Sequence, residues 1–266
     1  LTQSETRLYD RDTAMKPTVT LATTTTPDGQ ALSLCQHDRD FIIRLGRDEL
    51  MSSRRNASEM ALGKLGCERL ATHTNPVVLV GGLGMGYTLR AALDVLPPTA
   101  TVIVAELLPA VVEWNRNVFG DLAGHPLRDP RVEVRVEDVF RVISESPGRF
   151  DAILLDVDNG PHAMTSADNH RLYGPHGIEV TLSALRQDGC LSIWSATRDL
   201  PFERRLRYVH LAVRTYCLPA YQNSKSQPHR VWVISREPGS LPKAPAAPDR
   251  RPGAAERPQP RWRRRS

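Results

Sequence analysis

Four carboxylates spread along the middle of the chain, each following an apolar run, are where this sequence could do chemistry. Glu106 follows Thr101–Ala105, Glu137 and Asp138 follow Val132–Val136, and Asp156 follows Ala152–Leu155. Upstream, Val77-Val78-Leu79-Val80 runs into Gly81-Gly82-Leu83-Gly84-Met85-Gly86 and then Tyr87-Thr88. Glycines at such a turn permit positive φ and let a ligand approach the backbone, and the N–H groups of a following helix are free to meet it. The spacing departs from G-x-G-x-x-G, because Tyr87 stands where the last glycine would fall. The run therefore fits either a nucleotide-binding turn or a tight strand–helix connection with no ligand. An acid about 20 residues beyond such a turn is where a carboxylate accepts both ribose hydroxyls. Glu106 has that place, though it also suits the first turn of a helix starting at Pro109.

The elements that must position these groups follow from pattern. Strands are expected at Val77–Val80, Thr101–Ala105, Val132–Val136, Ala152–Leu155 and Cys190–Trp194, with helices over Tyr87–Val95, Pro109–Asn117, Val139–Ser144 and Gly177–Leu185. Apolar runs without alternation suit strands covered on both faces, and the strand–helix alternation predicts a parallel sheet. Successive parallel strands then end in carboxylates on one carboxyl-terminal edge, the edge where open α/β sheets bind ligands. A helix over Leu200–Tyr208 and β-rich Leu211–Cys217 and Val231–Ser235 complete a Rossmann-like, seven-stranded, mostly parallel α/β sheet. Ahead of it, Val19–Thr24, Ala31–Cys35 and Phe41–Leu45 read as small antiparallel strands, and Ser58–Leu70 as a helix with Ser58 a candidate cap. The expected division is a β-extension with linking helix at 1–71, a nucleoside-binding domain at 72–238 and a tail at 239–266.

The chain's net charge of +5 belongs to that tail: Gly239–Ser266 carries +6 and Leu1–Pro238 carries −1. With six prolines and almost no aliphatic residues past Leu241, the tail cannot bury enough apolar surface to order itself, and disorder is expected. Its Arg261-Trp262-Arg263-Arg264-Arg265 run reads as a solvated extension or as a contact with RNA or acidic lipid. Cys35, Cys67, Cys190 and Cys217 show no metal-ligand spacing, so no metal is expected. No window approaches about 18 consecutive apolar residues and no leader pattern stands at the start, which opens on Leu1. A reducing cytoplasm without membrane contact is the expected setting.

The acid ladder resembles the class I S-adenosylmethionine-dependent transferases over Val77–Ser235. Within them the sequence is similar to the spermidine synthase family of aminopropyltransferases. The resemblance lies in Gly81-Gly82, Phe150-Asp151-Ala152-Ile153-Leu154-Leu155-Asp156-Val157-Asp158, Gly160-Pro161, Leu172-Tyr173 and Asp188-Gly189-Cys190-Leu191, with Ser58-Glu59-Met60 upstream. It implies a donor site at Gly81, Gly82, Gly84 and Gly86, ribose on Glu106, and adenine near Glu137 and Asp138. It also implies Asp156 as proton acceptor, and Glu59, Asp158 and Tyr173 toward the amine. The co-substrate would be decarboxylated S-adenosylmethionine or S-adenosylmethionine, the partner a small amine, and the assembly a homodimer. Acids are needed because an amine with a pKa near ~10.4 is protonated at neutral pH, so a carboxylate must take a proton before the lone pair can attack. Three positions depart from the family. Gly84 replaces a loop Asp, Ala57-Ser58 replaces Tyr-His before Glu59, and the acids at 156 and 158 are spaced Asp-x-Asp.

Alternative readings stay open at several residues. Asp158 equally suits an Asx-turn in Asp158-Asn159-Gly160-Pro161. His162, His170 and His176 read as acid–base groups or as surface histidines, and Trp194 as a wall of the acceptor pocket or a packing residue. Methyl transfer from intact S-adenosylmethionine is the second activity the sequence admits. A nucleoside-binding module docking on RNA through its tail is the third.

Overall fold

The computed structural model describes residues 17–157, 170–208, 211–219 and 227–243. The large sheet holds β5 (Val77–Gly81), β6 (Thr101–Glu106), β7 (Val132–Val136), β8 (Phe150–Leu155), β9 (Leu185–Ser195), β10 (Ala212–Leu218) and β11 (His229–Ser235). Their spatial order is β10-β11-β9-β8-β5-β6-β7. The strands from β7 to β9 run parallel, and β11 lies antiparallel to both β9 and β10. Val78, Leu79, Val80, Ile153 and Leu154 are fully buried, which explains why their segments are uniformly apolar rather than alternating. One face is covered by α2 (Tyr87–Val95) and α3 (Pro109–Asn117), through Leu89, Leu93, Val111 and Val112. The other is covered by α4 (Val139–Ser144), α6 (Pro175–Ala184) and α7 (Leu200–Tyr208), through Val142, Ile178, Leu182 and Phe202. A four-residue α5 (His170–Tyr173) precedes α6. The chain winds outward from β5 to β7 and then returns to β8 on the opposite side of β5, so the glycine turn after β5 sits where the winding reverses.

A four-stranded antiparallel meander stands in front: β1 (Val19–Thr25), β2 (Ala31–His37), β3 (Asp40–Leu45) and β4 (Asp48–Ser52). The pattern anticipates the first three strands and misses β4. The expected Ser58–Leu70 helix is α1 (Ala57–Cys67) continued by a 3-10 turn over Glu68–Leu70. Ser58 is not its cap: Asn56 holds that position without a side-chain bond, and Ser58 is fully buried in the first turn.

α1 packs closely on α2 because Gly63 has no side chain; a Cβ there would lie 2.7 Å from Ala91 Cβ and 2.9 Å from Ala92 N. Gly66 similarly meets Leu154 of the sheet.

Disorder from Gly239 onward is corrected for its first five residues. Gly239–Lys243 lie on the body, where Cys190 Sγ is 3.0 Å from the Ser240 carbonyl and Tyr216 donates to the Lys243 carbonyl at 3.0 Å. Residues 244–266, with the basic run, lie outside the described residues. No helix among the described residues is long and apolar enough to cross a membrane.

Candidate functional site

The carboxyl ends of β5, β6 and β8 and the inner face of the small sheet border a half-open cleft. Leu32, Ile43 and Leu50 form its wall on the small-sheet side, and Leu108, Val139 and Val157 on the other. The glycine turn forms part of its floor. Gly82 adopts φ 86°, and its N–H donates to the Ala105 carbonyl at 2.9 Å. A side chain there would run into the Asp156 backbone, so glycine lets the β5 turn close on the end of β8. Gly84 adopts φ 50° beneath Met51; a Cβ at Gly84 would lie 2.7 Å from the Met51 methyl carbon and 3.0 Å from its sulfur. Asn115 of α3 holds this turn by donating to the Gly84 carbonyl at 2.8 Å.

Glu106 fastens the end of β6 to the turn. Its Oε2 accepts from Leu83 N–H and its Oε1 from Leu108 N–H, each at 2.9 Å. Asp138 caps α4 by accepting from Phe140 N–H at 2.7 Å, and its other oxygen accepts from Arg171.

Two acids meet deeper in the cleft. Asp156 leaves β8 with its N–H on the Gly81 carbonyl at 2.8 Å, and its carboxylate accepts from Thr88 of α2 at 2.6 Å. Glu59 of α1 is 5% exposed and accepts from the Ser58 hydroxyl at 2.6 Å. Burial pushes Asp156 up to about 6 against the pull of the Thr88 hydrogen bond. Burial first, then the charge of Asp156, pushes Glu59 up to about 7, against the Ser58 hydrogen bond. Two acids so placed titrate as a pair, with one proton between them near neutrality.

Of the residues singled out in the sequence, Gly82, Gly84, Glu106, Asp138, Asp156 and Glu59 line this one cleft, and Trp194 joins them. Others stand apart from its lining. Gly81 is buried within β5 against Val139, and Gly86 packs against Asn115 and Pro126. Glu137 turns to Arg141 at 3.8 Å, because neighbouring residues at a strand end point in different directions. Tyr173, expected to touch substrate, is 2% exposed and lies edge-on to Phe202 in the core beneath α7. His176 is exposed on α6. Asp158, His162 and the side chain of His170 lie outside the described residues.

Several contributors escaped the sequence reading. Thr88 holds Asp156, Met51 covers Gly84, and His229 lies 2.8 Å from Ser58 Oγ through its Nδ1. Thr88 had a signal, its place in the first turn after the glycines. Ser58 and His229 are 171 residues apart and had none.

The fold has relatives of known structure. The spermidine synthase of Thermotoga maritima superposes with a TM-score of 0.61 at 19% identity, covering 84% of this chain and 75% of that one. A spermidine synthase crystallised with the transition-state analogue AdoDATO superposes at 0.60 with 18% identity, covering 82% and 72%. In sequence, the chain is 36% identical over 135 residues to the polyamine aminopropyltransferase of Bacillus subtilis (strain 168), covering 50% of this chain and 45% of that protein. It is 38% identical over 135 residues to the polyamine aminopropyltransferase of Bacillus mycoides (strain KBAB4), with the same coverage. The chain spans about half the length of the curated relatives it matches. The model of the spermine/spermidine synthase domain matches residues 63–220, more than half of the chain, and by that match the chain belongs to the spermine/spermidine synthase family.

Proposed function

We propose that the chain transfers an aminopropyl group from decarboxylated S-adenosylmethionine to a small amine. The observation that carries this reading is the meeting of Glu59 and Asp156 beside the glycine turn, as acids with values of about 7 and 6. Near neutral pH such a pair offers one carboxylate able to accept a proton from an ammonium. Asp156 is the proton acceptor in this reading, and Glu59 holds the acceptor amine or shares its proton. The freed lone pair attacks the carbon attached to the sulfonium. A C–N bond forms, the C–S electron pair returns to sulfur, and methylthioadenosine leaves. The donor's ribose hydroxyls would meet the Glu106 carboxylate at the cleft lining, and its adenine amino group would approach Asp138. The apolar walls at Leu108, Val139 and Val157 suit a flat base and a methylene chain and keep water from the reacting carbon. The relatives named polyamine aminopropyltransferase support the same chemistry. The homodimer implied by the family resemblance, and the cytoplasmic setting expected from the cysteines and the absence of an apolar span, belong to this proposal as well.

One observation favours a second reading, methyl transfer from the intact donor. Met51 occupies the space above Gly84 that an acidic side chain would need to grip the amine of the decarboxylated donor. Incubation with each donor over a panel of diamines, followed by chromatography, separates the two. Methylthioadenosine with an aminopropylated amine supports the proposal; adenosylhomocysteine formed only from the intact donor overturns it. Asp156→Asn should retain nucleoside affinity while slowing turnover by about 10²–10⁴, the span expected for loss of a general base.

A further inference from the structure

We propose that His229, acting through Ser58, is a positioning residue for Glu59, holding one carboxyl oxygen so that the other faces the cleft and Asp156. The proposal rests on the role assigned to the acid pair above. Ser58 Oγ is 2.6 Å from Glu59 Oε2 and 2.8 Å from His229 Nδ1. A hydroxyl carries one proton, so the three groups form a chain with two consistent arrangements. When Glu59 is ionised, Ser58 donates to it and His229 must present Nδ1–H to the Ser58 oxygen. When Glu59 is protonated, it donates to Ser58, and Ser58 donates to a bare Nδ1. Both hydrogen bonds persist in either state, and the imidazole tautomer follows the Glu59 proton.

The surroundings suit this task. His229 opens β11 opposite Leu218 of β10, so its backbone is fixed in a ladder. The Trp194 ring lies edge-on to the imidazole, with centroids 4.9 Å apart at 81°. Trp194 also lines the cleft, which ties the orientation of His229 to the acceptor side of the site. Burial and the charge of Arg55, just ahead of α1, hold His229 below its usual value, so it stays a neutral imidazole able to change tautomer. The other charge that reaches Glu59 is that of Asp156 from the end of β8; the Tyr87 phenol on α2 feels the Glu59 charge but is itself neutral. From its own helix the Glu59 carboxylate accepts from the Ser58 hydroxyl and from its own backbone N–H.

The test is a ¹³C-carboxyl NMR titration of Glu59 in the substrate-free protein, run beside the pH–rate profile of methylthioadenosine release. Wild type, Ser58→Ala, His229→Ala and His229→Asn are compared. The Ser58 hydrogen bond is stronger to the ionised carboxylate than to the neutral acid, so losing it in Ser58→Ala, or losing the Nδ1–H that turns the Ser58 proton toward Glu59 in His229→Ala, should raise the Glu59 midpoint by about half to one pH unit. The acid limb of the rate profile should move up with it. His229→Asn, whose side-chain nitrogen reaches the place of Nδ1, should restore both. An unchanged midpoint in folded His229→Ala overturns the proposal, as does an asparagine variant that behaves like alanine. If wild type releases no methylthioadenosine, the aminopropyl reading fails by itself, and the NMR titration still decides the positioning role.

Discussion

Glu59 and Asp156 would both be ionised in water at neutral pH, and the fold places them where ionisation is costly. Their folded values lie above the ordinary 4.5 and 3.8, at about 7 and about 6. Between those limits the folded chain binds more protons than the unfolded one, so stability falls as pH rises through about 4 to 7. Their contribution is fully present below about pH 4 and lost above about pH 7. Glu59→Gln removes one charge from this penalty while keeping an acceptor for Ser58. It should therefore raise the melting temperature at pH 8 by several degrees, corresponding to on the order of 1–3 kcal/mol, and change it little at pH 4.5. Thermal melts at the two pH values check this; equal melting temperatures at pH 8 would mean that Glu59 ionises without cost. The acids were legible because each ends an apolar run. Their directions were not. Only the structure separates Asp138, which lines the cleft, from Glu137, which turns to Arg141.

Elements were legible where one rule dominated. Strands buried on both faces write themselves as unbroken apolar runs, and β5 to β9 were found within a few residues of their ends, with β9 starting earliest before its apolar run. β4 failed because it is an edge strand: Asp48 and Glu49 are exposed, and its pairing with β3 shifts register between Ile43 and Arg44. Yet β4 supplies Leu50 and Met51 to the cleft, so the least legible strand carries part of the site. α1 owes its place to Gly63, a poor helix former chosen for closeness. Gly63→Ala would gain about 1 kcal/mol of helix propensity. Against this, the new methyl would overlap the Thr88 carbonyl, Ala91 and the backbone of Ala92, which are not flexible side-chain ends. Overpacking of this kind costs about 1–3 kcal/mol and moves the helices apart. Thr88 touches both the Glu59 carbonyl, at 3.2 Å, and the Asp156 carboxylate, so separation of α1 from α2 reaches the acid pair directly. We expect Gly63→Ala to lower both melting temperature and turnover, with exposed Lys64→Ala on the same helix as a control that alters neither. A stabilised Gly63→Ala with full turnover would show that the contact yields and that propensity decides.

At the scale of the whole molecule, the acid pair is supported from the far end of the chain. Leu241 packs against the cluster of Leu62, Cys190, Trp194, Tyr216, Val231 and Val233, which joins α1 to the antiparallel edge of the sheet. Ser240 and Lys243 accept hydrogen bonds from Cys190 and Tyr216 beneath it. Trp194 belongs to both this cluster and the cleft, so the segment through Lys243 braces the wall on which His229 rests. From Ala244 the composition changes to Pro and Arg with one aromatic, Trp262, and no aliphatic residue larger than Ala, leaving little to bury. Two truncations separate these segments. A chain ending at Lys243 should keep the melting temperature and turnover of the full chain. One ending at Pro238 should melt several degrees lower, since it loses the Leu241 contact and the hydrogen bonds that Cys190, Arg214 and Tyr216 donate to this segment, and should lose turnover as the Trp194 wall loosens. A body of net charge −1 gives RNA little electrostatic reason to bind, so any salt-sensitive oligonucleotide binding by the full chain should vanish in the Lys243 truncation as well. Equal melting temperatures for the two truncations would show that Gly239–Lys243 rests on the body without supporting it. A loss of turnover in the longer one would give the arginine-rich segment a part in the reaction.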